Sequence, residues 1–355
     1  MPQEIVPPRT KEHPQATSLG GTIRMRLPLS VKLNGIDNLI RSYMSEILTT
    51  AQVADELLRG VNGGSCIAWV GSGISKPLYG DWLSSITCLC EACGVVDFGE
   101  STREPTADDL LDKAEECKKA NEAAYESTLA ARYGKEFGIT RIAYDWLLRA
   151  PFRAFITTNV DPLLSAAGEV VGSEALRYYP ELPSTDIERC KKSIFYMHGH
   201  ARPNGIANGH NLVFARSDFE KAYGPSGVVR QFVEQLLTNY PIVFWGCQLQ
   251  EPGIRESLQR VRDMHAQMKE ARDGFTPPLR FAVLPTIYAR TKGKLDQETE
   301  AAEAAEADYF RAIDIKVLRY DPRDRENHWE IEEILRSLCD SSSKLAVGAG
   351  EAGPK

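Results

Sequence analysis

No stretch of 18 apolar residues occurs in the 355-residue chain, so no segment has the length and hydropathy of a membrane-crossing helix. The first ten residues hold three prolines and lack the basic start and apolar centre of an export signal, which points to a cytoplasmic protein. Positive charge is not in excess. The 42 Lys and Arg against 49 Asp and Glu leave a formal charge of −7, which excludes a broad electrostatic footprint for nucleic acid or an anionic membrane. Eight cysteines are scattered through apolar segments, unlike the paired spacing of a disulfide scaffold or a zinc ribbon. Cys88, Cys90 and Cys93 come closest to a cluster, but at about 100° per helical residue Cys88 lies opposite the other two, so no metal is expected. Repeats and heptads are absent as well.

What is present is an apolar fraction of 43%, enough for a substantial core. Short apolar runs recur at Ser65–Val70, Arg153–Thr157, Ser193–Met197, Tyr240–Trp245, Leu279–Leu284 and Ile315–Arg319. Near-continuous runs of this kind suit strands buried on both faces. Helical patterns separate several of them, at Asp81–Cys93, Gly227–Leu237, Gly253–Met264, Leu295–Ala312 and His328–Cys339, so the fold class is α/β with a doubly wound, mostly parallel sheet. Residues 101–150, rich in Ala, Glu and Lys, read as a helical insertion, with Thr106 and Asp109 forming a cap. Residues 1–35 read as a flexible N-terminal arm and 341–355 as a disordered tail, leaving one domain over residues 36–340.

Ligands of open α/β sheets sit beyond the carboxyl ends of the strands, and four such ends are unusually polar or glycine-rich. The first is Gly71-Ser72-Gly73-Ile74-Ser75, read as a turn continuing to Pro77, where small residues let backbone N–H groups approach a phosphate. The third glycine of the dinucleotide fingerprint is replaced by Lys76. The second is Thr157-Thr158-Asn159-Val160-Asp161, whose polar side chains suit a sugar hydroxyl and equally suit a helix cap. The third brings His198, the one side chain with an ordinary pKa near neutrality, followed by Gly199 and His200, a residue expected on the pocket wall or at the surface. The fourth is Gly246 to Gln250. Together they favour a site where each alone favours a structural role.

The combination resembles the sirtuin-like (silent information regulator two-like) family, in particular bacterial antiphage-defence NAD+ hydrolases. The motifs carrying the resemblance are Gly71 to Ser75 with Asp81-Trp82, Thr157 to Asp161, Met197-His198-Gly199, Phe214 to Tyr223, Gly246 to Pro252, and Val317 to Asp321 with His328. It implies an inverted Rossmann-type domain that takes NAD+ as substrate and cleaves its nicotinamide–ribose bond to nicotinamide and ADP-ribose. Asn159 would then orient the ribose or the attacking water, Asp161 would hold the nicotinamide end, and His198 would act as general base. Gly71, Ser72, Gly73, Ser75, Thr158 and Gly246 would surround the phosphates and ribose. Residues 199–245 hold no cysteine, so the zinc ribbon of deacylase sirtuins is not expected. The alternatives are a non-catalytic NAD or ADP-ribose sensor or scaffold, and an NAD-dependent deacylase or ADP-ribosyltransferase. The same resemblance implies a homo-oligomer with a separately encoded activator such as a HerA-type ATPase or an Argonaute-like protein.

Overall fold

This computed structural model describes residues 57–99, 103–135, 142–173, 175–182, 191–202, 205–206, 212–286, 297–320 and 330–350. The expected arm, residues 1–35, lies outside them, as do residues 351–355 of the expected tail.

Seven strands make one sheet: β1 (Ile67–Val70), β2 (Ala154–Thr157), β3 (Leu176–Tyr178), β4 (Ile194–Tyr196), β7 (Ile242–Trp245), β8 (Arg280–Pro285) and β9 (Lys316–Tyr320). Their order is β3-β4-β2-β1-β7-β8-β9, with every neighbouring pair parallel. A separate antiparallel ribbon joins β5 (Ala201–Arg202) to β6 (Gly205–Ile206). Where a zinc ribbon would stand, the chain carries this ribbon and two helices, α7 (Arg216–Tyr223) and α8 (Val228–Asn239).

The apolar runs form strands here because each alternate residue feeds a different core. In β1, Ala68 and Val70 enter one core, with Phe155, Tyr196 and Trp245. Ile67 and Trp69 enter the other, with Ile156, Phe195 and Phe244. Each large apolar side chain among them, fully buried, contributes about 1.5–3 kcal/mol of transfer free energy, so a four-residue strand with no exposed side chain is strongly held.

The first core is covered by α2 (Trp82–Cys93), α3 (Ala107–Ala120), α4 (Glu122–Tyr133), α5 (Ile142–Arg149), α6 (Leu163–Val171) and α11 (Glu330–Gly350). The second is covered by α7, α8, α9 (Pro252–Ala271) and α10 (Gln297–Ala312). Helices on both faces of a parallel sheet make the fold Rossmann-like and doubly wound. None of the helices among the described residues is long and apolar enough to cross a membrane.

Three local expectations change. The glycine turn after β1 is shorter than read, because helix α1 (Ser72–Tyr79) begins at once and carries Pro77 inside it. Pro77 removes one N–H from an eight-residue helix, and packing of Ile74 and Tyr79 into the first core outweighs the loss. Strand β3 appears where no strand was expected. The chain beyond Ser341 is helical to Gly350, since extending an established helix such as α11 costs far less than starting one.

Candidate functional site

From β1 the chain lays down β2, then β3 at the edge and β4 between the two, and then crosses to the other side of β1 to lay down β7, β8 and β9. The strand order therefore reverses at β1, and the crevice beyond its carboxyl end is where this architecture binds ligands. Hydrogen bonds knit the three central strand ends together. The Thr157 hydroxyl donates to the Val70 carbonyl at 2.8 Å and accepts from the Asn159 N–H at 3.0 Å. On the other side, Gly71 N–H donates to the Trp245 carbonyl at 2.8 Å and Gly73 N–H to the Gly246 carbonyl at 3.0 Å.

This last pair changes the reading of the glycines. Two of the N–H groups in this turn, those of Gly71 and Gly73, are already bonded to the end of β7 and to the turn that follows it. A β-carbon on Gly71 would lie 2.6 Å from the Gly246 oxygen, and one on Gly73 would lie 2.8 Å from it. Gly71, Gly73 and Gly246 thus form a backbone crossing that lets two turns approach, and none of the three lines the cleft.

The cleft encloses about 620 Å³ counting space open to solvent. Of the residues singled out from sequence, Ser72, Ser75, Thr158, Asn159, Asp161 and His198 line it. They come from three strand ends that lie far apart in sequence, between positions 72 and 198. Asn159, only 8% exposed, donates through Nδ2 to the Ser75 hydroxyl at 3.1 Å and to the Gly71 carbonyl at 3.3 Å. Its Oδ1 has no partner among the described residues. An amide anchored by its nitrogen in this way offers a fixed acceptor to whatever enters, since a buried acceptor gains most from being satisfied.

Asp161 is 3% exposed, and burial pushes its carboxyl up to about 6, against the pull of the Leu163 N–H, the Ser75 hydroxyl and the Asn159 amide. Its Oδ1 accepts from Leu163 N–H at 3.2 Å, so Asp161 also caps the start of α6, whereas Asn159 does not. His198 is 5% exposed, and burial alone lowers its imidazole to about 3, so the ring is neutral at physiological pH. His200 departs from expectation. It neither lines the cleft nor faces solvent, and its Nε2 lies 2.9 Å from the Ser165 hydroxyl, between Tyr178 and Tyr196.

Much of the remaining wall is aromatic. Trp82 stacks on Phe219 at 6.3 Å and meets Phe214 edge-on at 6.2 Å, and Tyr79 stacks on Tyr133 at 5.9 Å. Tyr133 belongs to α4 of the insertion, so residues far from every motif complete the pocket. Asp81 lines the cleft too, but is committed as the cap of α2, accepting from Ser84 N–H at 2.9 Å and pairing with Lys76 at 3.2 Å. Glu251, where α9 starts with Pro252, adds a second carboxyl raised by burial.

Residues 153–305 match the SIR2-like domain. The matched segment holds Asn159, Asp161, His198 and Glu251, while the β1 turn that packs against it lies outside. No curated protein matches the chain. Among solved structures, one described as a basis for the mechanism and regulation of Sir2 enzymes is 10% identical with a TM-score of 0.38, over 83% of this chain and 98% of that one. A complex of a Sir2 homologue with NAD is 12% identical with a TM-score of 0.38, over 81% of this chain and 94% of that one.

Proposed function

We propose that the chain binds NAD+ in this cleft and hydrolyses its nicotinamide–ribose bond, releasing nicotinamide and ADP-ribose. The observation that carries the reading is the Asn159 amide, held by its nitrogen at the junction of three strand ends and presenting an unpartnered oxygen beside His198 and Asp161. A leaving nicotinamide takes its electron pair with it and leaves positive charge at the anomeric carbon. Fixed dipoles and a buried carboxylate stabilise such charge without reorganising, which is the largest single source of catalysis in sites of this kind. Asn159 orients the ribose or the incoming water, His198 contacts ribose hydroxyls or that water, and Asp161 faces the nicotinamide end. Ser72, Ser75 and Thr158 line the path of the ribose and phosphates, while Gly71, Gly73 and Gly246 hold the turns in place.

The acid limb of the pH profile tests the role of Asp161. Its carboxyl titrates at about 6, so nicotinamide release is expected to fall about tenfold per pH unit below that value and to level off above it. Asp161→Asn removes the limb and leaves a lower, flat profile. Stability moves the opposite way. A pKa raised on folding, from 3.8 to about 6, favours the fold below 3.8, and this contribution is lost as pH rises through 6. Asp161→Asn is therefore expected to be about 2–3 kcal/mol more stable than wild type at pH 7.5 in denaturant titrations, with the difference vanishing below pH 4.

Following the resemblance described above, we place the activity in an antiphage system, with the chain as a homo-oligomeric effector that depletes NAD+ when a HerA-type ATPase or an Argonaute-like protein engages it. Incubating the purified chain with NAD+ should give nicotinamide and ADP-ribose in equal amounts by chromatography. Binding of NAD+ with no release, with and without the genomic neighbour, would make it a nucleotide sensor instead.

A further inference from the structure

Nε2 of His198 lies 2.7 Å from the Tyr223 hydroxyl, and both residues are buried. The tyrosine is rigidly placed. It stacks on Phe219 at 5.5 Å, and its ring sits so close over Gly253 that a β-carbon there would meet Cγ at 2.3 Å. Helix α7, which carries Phe219 and Tyr223, is in turn clasped to insertion helix α3, with Lys118 2.7 Å from Asp218 and Arg216 2.8 Å from Asp108.

One hydrogen bond joins two groups that burial keeps neutral, since it holds the phenol well above its ordinary pKa and the imidazole well below. Two arrangements satisfy the distance. If the imidazole donates from Nε2, the phenolic proton is left buried with no acceptor among the described residues, at the full desolvation cost of a hydroxyl. If the phenol donates, the hydroxyl and Nε2 are both satisfied and the ring proton sits on Nδ1. Nδ1 is the nitrogen left for the cleft, which His198 lines.

We propose that Tyr223 is a positioning residue that fixes His198 as the Nδ1–H tautomer, so that His198 meets the bound ribose or the attacking water as a hydrogen-bond donor and not as a general base. The proposal rests on the NAD+-cleaving reading of the cleft for its chemical consequence, but not for its test. In the reaction, the C–N bond breaks with its electron pair going to nicotinamide, the water oxygen bonds to the anomeric carbon, and one proton is released. With Nδ1 already protonated, that proton passes to the Asp161 carboxylate or to solvent.

The test uses the full chain labelled with ¹⁵N in its six histidines, with the His198 signals identified by their loss in His198→Asn. Wild type should show a protonated Nδ1 and an unprotonated Nε2, and Tyr223→Phe should shift the ring toward the Nε2–H form. A protonated Nε2 in wild type overturns the proposal whatever the protein does to NAD+. Activity gives a second readout. The amide nitrogen of His198→Asn can stand where Nδ1–H stood, so this variant should keep nicotinamide release within about tenfold of wild type, whereas His198→Ala should lose about a hundredfold or more. Equal losses in the two variants would show that proton acceptance, and not donation, is what His198 supplies.

Discussion

Asn159→Ala is expected to slow nicotinamide release by about 10²–10³-fold while changing NAD+ affinity only a few-fold, the pattern of a group whose contact strengthens as charge develops. The amide is tied to Gly71 and Ser75 through Nδ2, so truncation removes two buried hydrogen bonds as well as the free acceptor. That structural loss is worth about 1–3 kcal/mol and should appear in a melting curve. Asn159→Asp separates the two contributions. It keeps the shape but loses the donor that anchors the group, so a comparable loss of turnover with near-normal binding is expected. Isothermal titration with NAD+, run beside the rate measurement, distinguishes this outcome from simple loss of the ligand.

The second large effect is structural. Gly246 has φ +63°, and a β-carbon on it would lie 2.9 Å from the Ile74 nitrogen. Left-handed backbone costs a non-glycine residue about 1–2 kcal/mol, and a backbone clash at the crossing adds about 1–3 more. Gly246→Ala should therefore lose about 2–5 kcal/mol in denaturant titrations and separate the turns that shape the cleft. Gly172 supplies the control, because it has φ +74° with nothing within 4 Å of the position its β-carbon would take. Gly172→Ala should show the backbone cost alone. If the two variants melt together, the crossing does not hold the site.

The buried strands were legible because a parallel strand covered on both faces has no polar alternation to blur it, as in Ile67-Ala68-Trp69-Val70 and Ile242-Val243-Phe244-Trp245. Strand β3 was not. It is an edge strand of three residues with Arg177 exposed at its centre and both neighbours only partly covered, so its pairing is decided by β4 and not by its own pattern. Helix α1 was hidden by Pro77, which argues locally against the helix that packing enforces.

The polar floor of the site followed from a rule about strand ends, and that rule carried Asn159, Asp161 and His198 to one cleft. The wall did not follow, since Trp82, Tyr133 and Phe219 meet only after α2, α4 and α7 have packed, and no spacing in sequence records that contact. Glu251 and Tyr223 were visible within motifs but gave no sign of where their side chains would lie. The glycines illustrate the converse. Their presence was informative, yet the chemistry they serve is the approach of two turns, and the N–H groups of Gly71 and Gly73 are consumed in it.

The most direct test of the central claim is hydrolysis of NAD+ by the purified chain in H₂¹⁸O, followed by mass spectrometry of the products. The account predicts free nicotinamide together with ADP-ribose carrying one ¹⁸O at the anomeric position, and loss of both in Asn159→Ala. Saturating NAD+ that yields no nicotinamide, or labelled product formed equally by Asn159→Ala, would contradict it.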